Sequence, residues 1–438
     1  MTTRTLIQGG IVFTVDPEIG VLPKGDVLIE DGKIRAVAAE IPVSDARVVD
    51  ATDRIVMPGL VDTHRHLWQA AVRQIAADWT LGQYVEQMLL QLGPQFAPSD
   101  VYIADLLGAI EALDSGITTI MDWSHIIRTP EHADEAVRGL ADSGIRAVFG
   151  YGNPWSPQPD WYRADIVRVA ERYFSAKDSL LSFAVASLGP EFGPVEEALV
   201  DIELARELDV PVSMHVGVGL LGQQRSVSDL HRRGLLGPDF IYIHCNTCTD
   251  EELRMIADSG GHVSISPRVE MQMGHGYPAT GRLRAAGVEP SLSVDVVSGV
   301  GGSLFAEMRG TLEAERGWQN HLALGRGENL PELTITTEDV VRMATIEGAR
   351  ALGIGDRVGS LTPGKQADLI LLDVALPNLF LVNHLTAAVT LADSQNVEAV
   401  FVAGEQVKAG GKMVRHDLPA LRERARSSRD GLLENWAL

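Results

Sequence analysis

Residues 59–66 read GLVDTHRH: an apolar start, then two histidines one residue apart, His64 and His66. In an extended strand, side chains at i and i+2 point the same way. Read as a strand, the segment therefore carries two imidazoles that can grip one ion together. Outward from it, short apolar runs alternate with helical stretches. The runs are IVMPGLVDT (55–63), GITTIMDW (116–123), GIRAVFGY (144–151), LLSFAVAS (180–187), VPVSMHV (210–216), FIYIH (240–244), GHVSIS (261–266) and VEPSLSVD (288–295). Helices are expected over 100–116, 132–144, 195–209 and 249–260. The last opens with Thr249 and has Glu252 three residues on, a capping-box pattern. Each stretch ends in Gly or Asp before the next apolar run.

Eight buried-type strands alternating with helices predict a parallel sheet, and at this length an α/β fold of the (β/α)8 TIM-type barrel is its natural closure. A doubly wound open sheet is the competitor, but no glycine-rich phosphate loop follows the first strand. Residues 1–57 and 358–416 have a different texture, β-branched runs broken by turn signals such as Gly9-Gly10 and Asp31-Gly32. They are expected to form one small composite β-sandwich domain from both chain ends, around a barrel domain over 58–357. Residues 417–438 form a C-terminal tail or helix.

The 438 residues are 45% apolar and 22% charged, enough for a sizeable core. A formal net charge of −22 argues against nucleic acid or an anionic membrane as partner. No uninterrupted apolar stretch of about 18 residues suggests a membrane span, and the first twenty residues lack a signal-peptide pattern. With only Cys245 and Cys248, read as packing residues, a reducing cytoplasm is the expected location.

The barrel expectation gives the polar residues a pattern. His64, His66, His215, His244 and Asp295 each sit at the carboxyl end of a predicted strand, and in a barrel those ends converge on one face. Imidazoles with a carboxylate suit a divalent ion, zinc first, with iron or manganese as alternatives. Such an ion lowers the pKa of water, and Asp295 is the carboxylate placed to take the proton. One H-x-H is a weak signal, and a lone histidine is usually structural. Four strand-end histidines with a strand-end aspartate are hard to assemble by chance. Cavity residues are expected on the loops that follow the strands: Trp68, Gln69, Arg73, Trp79 and Tyr84, Trp123 and His125, Trp155, and Met271, Met273 and His275. Trp68 and His125 are the best of these, each within a few residues of a strand end. The substrate is expected to be small, flat and weakly polar.

MPGLVDTHRH (57–66), SGITTIMD (115–122), SMHV (213–216), IYIHCNTCTDEEL (241–253), EPSLSVD (289–295) and GSLTPGKQADLILLD (359–373) resemble the amidohydrolase superfamily, in its cytosine deaminase and triazine hydrolase branch. The likeness runs to about Val414. It implies a barrel with a composite β-sandwich. It implies that His64, His66, His215 and Asp295 hold one divalent ion, with His244 binding the metal or polarising the substrate. Binuclear relatives carry a bridging lysine at the end of the fourth strand; none stands here, so a single ion is expected. Relatives are often dimers, so a homo-oligomer is expected. Deaminases of this branch have H-x-x-E after the fifth strand, whereas this chain reads His215-Val216-Gly217-Val218. Glu191 or Glu270 could substitute for that acid or be structural. The implied activity is hydrolytic removal of an amine from a small cyclic compound. Amide, urea or carbamate hydrolysis is the alternative that Val218 raises, and a lyase or isomerase on the same scaffold is a further one.

Overall fold

The structure, a computed structural model, describes residues 4–153, 157–176, 179–434 and 436. The leading strands are β1 (Arg4–Phe13), β2 (Val21–Glu30), β3 (Lys33–Ala38), β4 (Arg47–Asp50) and β5 (Arg54–Pro58). The barrel strands follow as β6 (Leu60–Arg65), β7 (Ile117–Ser124), β8 (Arg146–Gly152), β9 (Leu181–Ser187), β10 (Val212–Val216), β11 (Phe240–His244), β12 (His262–Ile265) and β13 (Ser291–Leu292). The chain returns as β14 (Leu369–Asp373), β15 (Val397–Val402), β16 (Glu405–Ala409) and β17 (Lys412–Met413).

β6 to β13 form an eight-stranded parallel sheet in sequence order. Each helix expected between strands is present. Asp250–Ser259 carries the capping box from Thr249 and Glu252, and ends on Gly260 at φ 76°, a left-handed cap that glycine adopts without strain. Closure is made at the mouth. The Asp295 N–H donates to the His64 carbonyl at 3.0 Å, and the His66 N–H donates to the Asp295 carbonyl at 2.9 Å. The eighth run is regular only over Ser291–Leu292; beyond it the backbone turns out of the ladder, and Asp295 takes φ 66°.

The nine remaining strands make one mixed sheet, ordered β17-β16-β15-β14-β5-β1-β2-β3 with β4 on β1. β5 pairs antiparallel with β14, Met57 opposite Ile370, which joins the two chain ends. Ile7, Val12, Val27, Val56, Leu371 and Phe401 form this sheet's own buried cluster. The run 55–63, read as one strand, is therefore two: its first half belongs to the chain-end sheet and its second to the barrel. Gly59 is the hinge, because a Cβ there would lie 2.1 Å from Thr118 Oγ1, so only glycine allows that crossing. The C-terminal segment is a helix over Leu418–Leu433. Among the described residues no helix is long and apolar enough to cross a membrane.

Candidate metal centre

The strand ends bring four imidazoles and one carboxylate to a single point. The His64 ring lies 4.6 Å from that of His66, 4.8 Å from His215 and 5.9 Å from His244, centroid to centroid. Asp295 Oδ1 is 3.3 Å from His64 Nε2 and 3.4 Å from His66 Nε2, while Oδ2 is 3.7 Å from His244 Nε2. Two rings are held from behind. His66 Nδ1 is 2.7 Å from the Trp123 carbonyl, which can only accept, so the proton sits on Nδ1 and the Nε2 lone pair faces Asp295. His244 Nδ1 is 3.1 Å from Glu270 Oε1, and the same reasoning turns its Nε2 inward. Outer partners of this kind fix the tautomer and angle of metal-ligating histidines.

The electrostatics fit a cation. Burial holds His64 neutral, with a pKa down to about 3, and takes His215 well below the usual histidine range, helped by its neighbouring imidazoles. Burial opposes charge on Asp295, but His64 and His66 beside its carboxylate, with His244, keep it well below the ordinary aspartate range. Burial also opposes charge on His244; the Glu270 hydrogen bond and the charges of Asp295 and Glu270 raise it nonetheless. The buried His64 Nδ1 lacks a hydrogen-bond partner, and its Nε2 meets only the Asp295 carboxylate. Neutral imidazoles at His64 and His215 beside the ionised Asp295 carboxylate fit the donor set of a divalent ion. The groups His64–His66–Asp295 and His64–His215–His244 each bring their ligand atoms within 4.8 Å of one another.

The backbone is strained here. His244 sits at φ 78°, Cys245 at φ 59° and Asp295 at φ 66°. For side chains larger than glycine each such residue costs about 1–3 kcal/mol, and strain of this kind clusters at functional sites. Nothing in the residue types announced it. Cys245 and Cys248 are free and buried, and belong to the main hydrophobic core.

Over the cluster lies a cleft lined by His66, His125, His215, His244, His275 and Asp295 and by a larger apolar set. That set includes Leu81, Tyr84, Val85, Leu89, Trp123, Leu188, Phe192, Val218, Met273 and Val296. Leu81, Val85 and Leu89 recur every fourth residue on one helical stretch, a spacing that could have placed them. Phe192 lines the cleft, whereas its neighbour Glu191, the residue its charge singles out, does not.

Several expected cavity residues stand behind the wall instead. Trp68 is fully buried against Phe96, and its Nε1–H donates to His125 Nδ1 at 3.3 Å, so it positions His125 rather than facing the cleft. Gln69 is spent between the Tyr84 hydroxyl (2.5 Å) and Ser298 Oγ (2.6 Å). Arg73 pairs with Glu111, Trp79 packs against Trp436, and Met271 points to solvent. Glu191 accepts from the Gly217 and Val218 N–H groups at 2.6 and 3.1 Å, tying down the loop after β10. Glu270 is held by Ser266 N–H, Asn246 Nδ2 and His244. Neither carboxylate lines the cleft. Trp155 lies outside the described residues.

The chain is similar to known proteins over most of its length. The model of the Amidohydrolase family matches residues 55–407. A 5-methylthioadenosine/S-adenosylhomocysteine deaminase of Symbiobacterium thermophilum is 31% identical over 86% of each chain. A 5′-deoxyadenosine deaminase of Methanosarcina mazei is 28% identical over 85% of each. Among solved structures, an adenosine deaminase of Xanthomonas campestris with bound zinc superposes with a TM-score of 0.88 at 26% identity, covering 99% of both chains. The zinc complex of an atrazine chlorohydrolase of Arthrobacter aurescens, at 22% identity and TM-score 0.85 over 97% and 100% of the chains, shares the fold. The chain belongs to the amidohydrolase family and is a metal-dependent hydrolase.

Proposed function

We propose that this protein removes an amine hydrolytically from a flat nitrogen heterocycle of the aminopurine class, using one zinc ion held by His64, His66, His215 and Asp295. The observation that carries the reading is the convergence of those donors at the base of a mostly apolar cleft. The adenosine-derivative deaminases to which the chain is similar support the substrate class. A divalent ion so held lowers the pKa of water to near 7 and supplies hydroxide at neutral pH. The chain's own groups do the rest. Asp295, kept ionised among imidazoles, accepts the proton from the attacking water. His244, aimed by Glu270, lies 3.7 Å from Asp295 Oδ2 and steadies the negative charge that develops on the substrate. The rings of Tyr84, His125 and Phe192 and the side chains of Leu81 and Met273 enclose the substrate and exclude water.

One observation favours a second reading. Val218 stands in the cleft wall at the position where the branch's H-x-x-E motif puts its acid, and Glu191 and Glu270 are engaged elsewhere. An amide, urea or carbamate makes less demand on that acid. Zinc-loaded protein should be assayed for ammonia release from adenosine, its 5′-deoxy and 5′-methylthio forms and simpler aminoheterocycles, and for product from ureas, carbamates and amides. Ammonia from an aminoheterocycle supports deamination. Turnover of ureas, carbamates or amides alone replaces it with the second reading.

A further inference from the structure

The two oxygens of Asp295 face different partners. Oδ1 lies against His64 and His66, and Oδ2 lies toward His244. Beyond His244 is His275, whose ring stands edge-on to it at 4.7 Å. His275 is 4% exposed, and neither of its nitrogens has a hydrogen-bond partner. Its backbone is fixed on both sides: its N–H donates to the Glu270 carbonyl at 3.0 Å, and its carbonyl accepts from the Gly219 N–H at 2.7 Å. The ring is thus held in place with its polar atoms unused. His244, His275 and Asp295 bring one donor atom each within 4.8 Å of one another, a set separate from His64–His66–Asp295 except for the shared aspartate.

We infer that Asp295 Oδ2, His244 Nε2 and a nitrogen of His275 form a second divalent-cation subsite, with the Asp295 carboxylate bridging it to the first. His244 carries the outer-partner geometry of a metal ligand, its Nδ1–H on Glu270, which Ser266 and Asn246 hold in turn. Carboxylates that bridge two ions about 3.5–4 Å apart occur in many hydrolases. This subsite needs no lysine on the fourth strand, because the bridge comes from Asp295. It binds more weakly than the first. It has three donors, one of them shared, and His244 Nε2 stands 3.7 Å from Asp295 Oδ2, wider than the separation of about 3.4 Å that tetrahedral zinc with bonds near 2.1 Å prefers. It therefore fills only at excess metal. Filling it engages the oxygen and the imidazole that the deamination reading needs for proton acceptance and charge stabilisation, so excess zinc inhibits; that consequence alone rests on the proposed function.

The test is equilibrium dialysis of metal-depleted full-length protein against zinc alone, followed by metal analysis, which requires no substrate. Wild type should rise from one to two ions per chain as free zinc increases. His275→Ala should stop at one, and His275→Leu, which keeps most of the ring's volume, should do the same. A wild-type plateau at one ion, or two ions in both variants, overturns the subsite. In the activity arm, zinc beyond the first equivalent should slow wild type and not His275→Leu, each compared with its own rate at one equivalent. Two bound ions with undiminished wild-type turnover would overturn the inhibitory role.

Discussion

The two ends of the barrel treat buried charge in opposite ways. At the amino-terminal end, Arg146 opens β8 and meets Asp368 ahead of β14, with Nε and Nη2 donating to its two oxygens at 2.7 and 3.0 Å. The Ala403 N–H also donates to Asp368. These side chains are 4% and 1% exposed, and their charges are matched within the chain, locking the barrel to the chain-end sheet. At the carboxyl end, His64 and His275 keep orphaned nitrogens, and His244 and Asp295 sit at strained backbone angles. Buried polar groups normally find partners, and an unmatched one costs about 1–3 kcal/mol. The paired end is built for cohesion; the unpaired end is completed by something the chain does not supply. Lack of a partner is not sufficient by itself. Asp105 is equally orphaned, but burial and the neighbouring Asp122 raise its pKa well above the usual range, so a neutral acid explains it without a ligand.

The contrast can be broken in order of effect. Chelation should abolish turnover and zinc should restore it, while unfolding followed by circular dichroism should still show a cooperative fold; full activity in metal-free protein would remove the reading of the carboxyl end. Asp295→Asn should lower kcat by about 10³-fold, within the range of lost general-base catalysis, with little change in Tm. Near-wild-type turnover would refute its role as base. At the other end, Asp368→Asn leaves the Arg146 charge unmatched. It should cost about 3–5 kcal/mol of stability in denaturant titrations, with kcat per folded molecule unchanged. A catalytic defect there would mean that the two ends are coupled. Glu270→Gln, which loosens the aim of His244, should lower kcat about 10–100-fold, the usual cost of losing an outer partner, with the zinc content of the protein unchanged; metal analysis beside kcat reads both. Val218→Glu should not raise turnover of the native substrate. A large gain would show that the cleft still accommodates an acid at that place.

Much of this was legible in order along the chain. Apolar runs of strand length mark the eight parallel strands, and position at strand ends marks His64, His66, His215, His244 and Asp295. The chain ends shared a β-rich texture and do share one sheet. Both kinds of information are local: periodicity shows where a strand lies, and a barrel turns position along each strand into a common face. Other features depended on which atoms meet after closure. Trp68 and Gln69 look like cleft residues by position, yet they support His125 and Tyr84 from behind. Glu191 and Glu270 look alike as strand-end acids, yet one ties down a loop and the other aims an imidazole. The division of 55–63 between two sheets, the positive φ of His244 and Asp295, and the unused nitrogens of His275 have no signature in residue type. They arise because side-chain direction and hydrogen-bond partners are settled by packing between segments far apart in sequence, which a one-dimensional pattern does not encode.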